Sequence, residues 1–224
     1  MRVPALEGHR IWSETYDDAP NPLLSLETRV LPELLGPLEG RRLVDIGCGT
    51  GRWMVYAQSR GARVTGVDLC HEMLLRAASK PRLGGRLARG SAELLPLAGE
   101  AADLALCSFA LGYMADSPAA IREMSRICGR GARVIVSDVH SEGLAAGWKR
   151  AFRSGGASYE IEHLSHSTPA LLQAASEAGL RLECAVATCF GEPEREVFCR
   201  AGKEHLFEEA SRVPAIWIAA WIKL

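Results

Sequence analysis

Three glycines at alternate positions, Gly47, Gly49 and Gly51, separate a run of apolar residues from an amphipathic segment. Glycine tolerates positive φ angles and lets a ligand approach the backbone closely. The amphipathic segment predicts a helix, and the first turn of a helix offers free N–H groups and the positive end of the helix dipole. A strand, a glycine loop and a helix in this order predict a site for a carboxylate or phosphate group.

An acidic residue, Asp68, follows Gly51 by 17 positions and ends the second predicted strand. An acid at that position can accept hydrogen bonds from ribose hydroxyls. The spacing Gly-x-Gly-x-Gly differs from the Gly-x-Gly-x-x-Gly of NAD-binding folds, and the Gly-Lys-Ser/Thr of a phosphate-loop ATPase is absent. The loop and the acid together therefore indicate a ligand site rather than a purely structural turn.

The elements around this loop alternate between short apolar runs and amphipathic stretches, a pattern typical of βαβ units and a mostly parallel sheet. Strands are predicted at Arg42–Ile46, Arg63–Asp68, Gly85–Arg89, Ala102–Ser108, Ala132–Ser137, Leu180–Thr188 and Ala215–Lys223. Helices are predicted at Leu23–Leu35, Arg52–Ser59, His71–Ser79, Pro118–Ile127 and Pro169–Ala178. For the last helix, Thr168 is the expected cap and Gly179 the expected left-handed residue at its end.

Three segments lie outside these units. Residues 1–38 predict a helical cap on the sheet edge or the cleft, with Pro22 in the first turn of its main helix. The connection between Asp138 and Thr168 is too long for a tight β–α loop, and loops of that length are usually functional. Between the last two strands, Glu192–Glu196 predicts a solvated loop or a lid, whereas Ile216–Ile222 predicts a buried final strand.

The composition excludes several classes of protein. With 224 residues and a formal net charge of −1, the chain suits one domain over residues 1–224 and lacks the excess positive charge of a nucleic-acid binder. No apolar run has the length of a membrane span, and the N-terminus lacks the apolar core of a secretory signal. The seven cysteines form no Cys-x-x-Cys pair, so we expect free thiols in a cytoplasmic protein, as a monomer or homodimer.

Four motifs resemble those of class I S-adenosylmethionine (SAM)-dependent methyltransferases. Asp45-Ile46-Gly47-Cys48-Gly49-Thr50-Gly51 resembles motif I, and Gly66-Val67-Asp68 with Met73-Leu74 resembles motif II. Gly90–Leu97 resembles the segment that lines the adenine, and Ala102–Leu111 resembles motif IV. The similarity covers roughly Trp12 to Ser137. It points to the small-molecule enzymes of the ubiquinone and menaquinone biosynthesis type.

This resemblance implies an α/β fold: a doubly wound, seven-stranded, mostly parallel sheet whose last strand is antiparallel, with a helical cap (1–38) and an insertion after the fifth strand (139–168). It implies SAM as the cofactor and S-adenosylhomocysteine (SAH) as the product. The implied cofactor-binding residues are Tyr16, Asp45, Gly47, Cys48, Gly49, Gly51, Asp68, Leu69, Met73, Ser91, Ala92, Glu93, Ser108 and Phe109. Among them, Asp68 would hold the ribose hydroxyls, Asp45 would organise the loop and the ammonium group, and Tyr16 would close over the cofactor.

Two positions depart from the family pattern. Many relatives have Asp where Ser91 stands, which removes the usual carboxylate contact to the adenine amino group. Many also have His where Gly112 or Tyr113 stands, so an acceptor-side base is missing there and Tyr113 is the catalytic candidate that remains.

The insertion is the expected source of acceptor-side groups, with His140, His163 and His166 as the leading candidates. Three interpretations stay open: a solvated polar insertion, an acceptor pocket with a histidine base, or a metal site formed by the three histidines. The expected function is methyl transfer from SAM to a small molecule. The alternatives are a SAM-binding enzyme with a non-methylating or metal-assisted reaction, and a protein or nucleic-acid methyltransferase.

Overall fold

The computed structural model describes residues 1–224, and its centre is a seven-stranded sheet. Its strands are β2 (Arg42–Ile46), β3 (Arg63–Asp68), β4 (Leu87–Arg89), β5 (Ala102–Ser108), β6 (Cys128–Val139), β9 (Leu180–Thr188) and β10 (Ile216–Lys223). The strand order is β4-β3-β2-β5-β6-β10-β9. The first five pair in parallel, and β10 runs antiparallel to both of its neighbours. The expected sheet with an antiparallel last strand is confirmed.

Nine α-helices pack around the strands. They are α1 (Ala5–Trp12), α2 (Pro22–Leu35), α3 (Arg52–Gln58), α4 (His71–Ser79), α5 (Ser117–Ile127), α6 (Ser141–Ala145), α7 (Thr168–Glu177), α8 (Glu192–Arg200) and α9 (Phe207–Ala210). Helix α2 begins as predicted, because the Asn21 side chain accepts a hydrogen bond from the Leu23 amide at 3.0 Å. The expected cap of α7 is wrong by one residue: Ser167 stands at the N-cap, without a side-chain cap bond. Gly179 has the expected positive φ of 75°.

The core lies on both faces of the large sheet. Along β5, Leu104 and Leu106 pack into one apolar layer, whereas Ala105 and Cys107 pack into the other. Successive side chains of a strand point to opposite faces, so an uninterrupted apolar run predicts a strand covered on both sides. The covering helices include α2 and α3 on the first face and α5 and α7 on the second. This is the doubly wound arrangement.

A second, three-stranded sheet joins the N-terminus to the insertion. It consists of β1 (Arg2–Val3), β8 (Ala157–Ile161) and β7 (Ala151–Ser154), in the order β1-β8-β7. Strand β1 pairs in parallel with β8, and Trp12 of α1 stacks on Phe152 with ring centroids 5.0 Å apart. The insertion and the helical cap therefore form one structure over the same end of the large sheet.

The expectation of a solvated loop or lid at Glu192–Glu196 is wrong. These residues begin helix α8, and Glu194 is fully buried. Arg29 on α2 forms a two-pronged ion pair with Glu194, with both N–O distances 2.9 Å, which compensates the buried charge. The final strand is buried as expected, with Trp221 1% exposed. Among the helices of the chain, none combines the length and the apolar character needed to cross a membrane.

Candidate functional site

The glycine loop joins β2 to α3 at the carboxyl edge of the large sheet. Gly47 has φ +68°, and a Cβ there would lie 2.4 Å from the Cβ of Ala110. Gly49 has φ +52°, but a Cβ there would meet nothing within 4 Å. Gly47 is thus required by protein packing, whereas Gly49 faces open space where a ligand can approach the backbone.

Asp68, at the end of β3, both orders the loop and lines the cleft. Its Oδ2 accepts a hydrogen bond from the Gly49 amide at 2.7 Å, and its Oδ1 accepts one from the Cys70 amide at 2.8 Å. Burial raises the pKa of Asp68, and the two amides and the nearby His9 oppose that rise. A carboxylate oxygen has more than one acceptor position, so Asp68 can still receive hydroxyl donors from a ligand.

Asp45 lies beneath the loop in the protein interior, 2% exposed. Burial raises the pKa of Asp45 to about 7, and the positive charge of Arg52 opposes the rise. The carboxylates of Glu27 and Asp68 raise its pKa further. A cation placed above this group would lower the cost of its ionisation.

The cleft at this edge encloses a cavity of about 320 Å³. Twelve of the residues proposed from the sequence line it: Tyr16, Gly47, Gly49, Asp68, Leu69, Met73, Ser91, Ala92, Glu93, Ser108, Phe109 and Tyr113. Asp45, Cys48 and Gly51 do not line it and lie in or behind the loop. The cavity thus runs from the end of β3 to the end of β5, past the glycine loop.

The residues after β5 form one end of this cavity in a strained conformation. Phe109 has φ +50°, which is costly for a residue with a side chain, and such strain persists where surrounding contacts enforce it. Arg150, from the insertion, donates a hydrogen bond to the Phe109 carbonyl at 3.2 Å and forms an ion pair with Asp138. The Arg150 guanidinium also lies over the Tyr113 ring, 4.6 Å from its centre. The insertion therefore supports this end of the cavity through Arg150.

The comparisons with known proteins agree with this geometry. Residues 44–136 match the family model described as a methyltransferase domain. The crystal structure of an S-adenosylmethionine-dependent methyltransferase from Mesorhizobium loti superposes with a TM-score of 0.71 at 23% identity, covering 92% of this chain and 99% of that one. The chain has the fold of this class I methyltransferase.

The proteins to which this chain is similar act on different acceptors. Malonyl-(acyl-carrier protein) O-methyltransferase from Serratia marcescens is 34% identical over 108 residues, which is 48% of this chain and 40% of that protein. A geranyl diphosphate C-methyltransferase from Streptomyces coelicolor, solved with Mg²⁺, geranyl diphosphate and SAH, has a TM-score of 0.66 at 20% identity and covers 89% of this chain and 80% of that one. The chain spans between about a third and just over half of the length of the curated relatives it matches.

The three histidines expected on the acceptor side of this methyltransferase fold do not line the cavity. Nδ1 of His140 accepts a hydrogen bond from the Glu142 amide at 3.2 Å, at the start of α6. Nδ1 of His163 lies 3.4 Å from the carbonyl oxygen of Ile161. His166 lies 3.1 Å from the Leu111 carbonyl and 3.1 Å from the Ser117 hydroxyl. No three His, Cys, Asp or Glu side chains converge on a metal-sized site. The structure therefore supports neither the histidine base nor the metal site proposed for the insertion.

Glycine at position 112, where many methyltransferases carry His, has a steric reason. A Cβ at Gly112 would lie 2.8 Å from Nη2 of Arg150, and the Gly112 amide donates to Asp138 at 2.8 Å. Arg150 and Asp138 thus occupy the space that a larger residue would need.

Sequence reasoning missed two site residues. His9 on α1 lines the cavity; its only signal was helical spacing to the aromatic residues Trp12 and Tyr16. Glu27 on α2 is fully buried and accepts hydrogen bonds from the Trp53 indole at 3.0 Å and the Ser108 hydroxyl at 2.8 Å. It also pairs with Arg52. Because Ser108 donates its hydroxyl hydrogen to the buried Glu27, the hydroxyl of this cavity residue is directed into the protein.

The helical cap is attached to the glycine loop through one side chain. Asp17 accepts a hydrogen bond from the Thr50 hydroxyl at 2.6 Å and forms an ion pair with Lys80 at 2.8 Å. Because Tyr16 lines the cavity, this attachment fixes the cap over the site.

Proposed function

We propose that this protein transfers a methyl group from SAM to a small-molecule acceptor. The observation that carries the proposal is the cavity itself, where an open glycine loop, a ribose-accepting Asp68 and apolar walls meet at the carboxyl edge of a methyltransferase-fold sheet. Ligands of open α/β sheets bind at this edge.

The residues present fit an adenosyl amino acid. Asp68 supplies acceptors for the ribose hydroxyls, and Leu69 and Met73 supply an apolar wall for the adenine. The backbone at Gly49 is open to the amino-acid portion. Asp45 lies beneath the loop, where an ammonium group bound above it would favour the ionised carboxylate. Tyr16 covers the site from the cap.

The acceptor belongs at the other end of the cavity, beside Phe109 and Tyr113. When bound, SAM supplies a methyl group already activated by its sulfonium. The protein's part is to hold the acceptor in line with the carbon–sulfur bond, and such positioning supplies several kcal/mol. The acceptors of the relatives differ, so none of them is assigned to this chain.

Its seven cysteines are free thiols, which supports the further proposal of a reducing, cytoplasmic location.

The proposal is tested by calorimetry with SAH and with NAD. We expect SAH to bind and NAD not to bind. Asp68→Ala should weaken SAH affinity roughly tenfold to a few hundredfold, because hydrogen bonds to a charged group contribute about 1.5–3 kcal/mol. The matched control is Asp18→Ala, an exposed acid of the cap, which should leave the affinity unchanged.

Two results would count against the proposal: binding of NAD without SAH, or wild-type SAH affinity in a folded Asp68→Ala variant. Incubation with methyl-labelled SAM and candidate acceptors then separates methyl transfer from a reaction that leaves SAM intact, because only methyl transfer releases SAH.

A further inference from the structure

Helix α1 places one imidazole, that of His9, in the cavity wall. Its Nδ1 lies 2.8 Å from the carbonyl oxygen of Ala5, one turn earlier in the helix. A carbonyl only accepts, so Nδ1 carries the proton of this hydrogen bond and Nε2 of the neutral ring is left as a free acceptor. Nε2 has no hydrogen-bond partner in the protein and is not sealed in its interior.

The surroundings of His9 keep this ring neutral near pH 7. Burial is the largest influence and lowers the pKa of His9, and the positive charge of Arg150 lowers it further. The hydrogen bond to the Ala5 carbonyl and the negative charge of Asp68 oppose this shift without reversing it. The Tyr113 ring packs edge-on against the imidazole, with ring centroids 4.6 Å apart. His9 is thereby held beside the residues that follow β5, at the proposed acceptor end.

The other ionisable groups of the cavity are less suited to take a proton. Both oxygens of Asp68 hold backbone amides, and Glu93 accepts the amide of Asp116 at 2.7 Å. Burial raises the pKa of Tyr113, so its hydroxyl stays protonated. His9 alone among the lining residues combines a free basic nitrogen with a fixed orientation.

The charge of the cavity wall indicates which acceptors fit. Its lining contains the carboxylates of Asp68 and Glu93 but no Lys or Arg side chain. A carboxylate acceptor would therefore find no cationic side chain in the wall to compensate for its desolvation, which is unfavourable in a partly buried site. A neutral acceptor avoids this cost, but it arrives with its proton attached and needs a base.

We propose that His9 is the general base for a neutral acceptor with an acidic hydroxyl group, such as a phenol or an enol. This inference rests on the proposed methyl transfer. As the acceptor oxygen forms its bond to the methyl carbon, the carbon–sulfur bond breaks and its electron pair stays on sulfur. The hydroxyl proton passes to Nε2 of His9, and the imidazolium then releases it to solvent.

The first test uses 1-naphthol as the neutral probe and 1-naphthoate as the anionic one, titrated into the SAH complex of the whole protein. We expect 1-naphthol to bind more tightly than 1-naphthoate. His9→Gln should weaken 1-naphthol binding roughly two- to tenfold through the lost hydrogen bond. SAH affinity should change less than 1-naphthol affinity, because His9 lies at the proposed acceptor end. The matched control is His205→Gln, an exposed histidine outside the cavity.

Turnover and protonation provide the second readout. With SAM and a hydroxyl acceptor that is methylated, His9→Gln should lower the rate about 10²- to 10⁴-fold and remove the acidic limb of the pH profile. Nitrogen-15 NMR of the histidines should show His9 neutral at pH 7 with its proton on Nδ1.

The outcomes separate this inference from the proposed function. Equal or tighter binding of 1-naphthoate, or unchanged 1-naphthol binding in His9→Gln, overturns the role of His9 while SAH binding still supports a methyltransferase. Absence of SAH binding in the wild type overturns the proposed function itself.

Discussion

At the scale of single residues, Asp45 and Asp68 are acids that the fold keeps in an environment that disfavours their charge. Burial is the largest cause of the raised pKa of both groups, and the negative charge of Asp68 raises the pKa of Asp45 further. Buried carboxylates without full compensation reduce stability and are concentrated at functional sites. Their presence beside the glycine loop is therefore explained better by ligand binding than by folding.

Asp45 predicts a specific dependence of stability on pH. Its pKa is about 7 in the folded protein against an ordinary value of 3.8. Between these values the unfolded chain has lost the proton and the folded protein retains it, so the free energy of unfolding should fall as pH rises from about 4 to 7. The loss is on the order of a few kcal/mol, since one pKa unit corresponds to about 1.4 kcal/mol.

Urea unfolding of the ligand-free protein at pH 5 and pH 8 measures this effect. Asp45→Asn should reduce the difference in unfolding free energy between the two pH values, whereas Asp18→Asn should leave it as in the wild type. The same pH dependence in Asp45→Asn and wild type would show that another group is responsible.

The residues that sequence reasoning could locate are those whose role depends on neighbours along the chain. Gly47, Gly49 and Asp68 belong to one strand–loop–helix unit, and their spacing alone places them at the same edge. His9 and Glu27 could not be located in this way, because α1 and α2 reach the site only through tertiary packing. For the insertion, sequence position predicted an acceptor-side role, which stays a prediction. It favoured the histidines over Arg150, which is the insertion residue that contacts the Phe109 carbonyl.

At the scale of elements, the glycine loop can be compared with a glycine outside it. Gly40 and Gly49 both have positive φ angles, +71° and +52°, and a Cβ at either would meet nothing within 4 Å. They differ in place: Gly49 lines the cavity, and Gly40 precedes β2 outside it. Substitutions at these two positions therefore separate the effect of backbone strain on stability from the effect of a Cβ on ligand binding.

Alanine at each position tests this distinction. Gly40→Ala and Gly49→Ala should both lower the free energy of unfolding by about 1–2 kcal/mol, the cost of a left-handed conformation for a residue with a Cβ. Only Gly49→Ala should also weaken SAH binding, by about tenfold or more, which corresponds to at least about 1.4 kcal/mol of lost contact. Unchanged SAH affinity in Gly49→Ala would remove the loop from the proposed cofactor site.

The central strands of the large sheet were predictable because their apolar runs are continuous and buried on both faces, and β2, β3 and β5 have the predicted bounds. The edge strand β9 also has the predicted bounds, although most of its residues are exposed. The small sheet was not, because β1 has only two residues and pairs with a strand more than 150 positions later. Helix α8 was missed because its charged sequence resembles a loop. The burial of Glu194 depends on Arg29, which is distant in sequence.

At the scale of the whole molecule, distant parts of the chain enclose one cavity. The wall of this cavity includes helix α1, the glycine loop, the segment between β4 and β5 and the residues after β5. The insertion supports this wall through Arg150, and β1 ties the cap to the insertion. A ligand in the cavity would therefore contact several elements at once, and its binding should stabilise the fold as a unit.

This coupling predicts a thermal shift of definite size. A ligand at 100 times its dissociation constant stabilises the native state by about 2.7 kcal/mol. For a chain of this length each kcal/mol raises the melting temperature by roughly 2–4 °C, so saturating SAH should raise it by about 5–10 °C. NAD at the same concentration should produce no shift, and Asp68→Ala should reduce the shift with SAH.

Hydrogen exchange in α1 should slow in the SAH complex, since Ala5, Leu6 and His9 line the cavity. A shift without slower exchange in α1 would mean that the cap does not close on the ligand, and a shift with NAD but not SAH would contradict the assignment of the site.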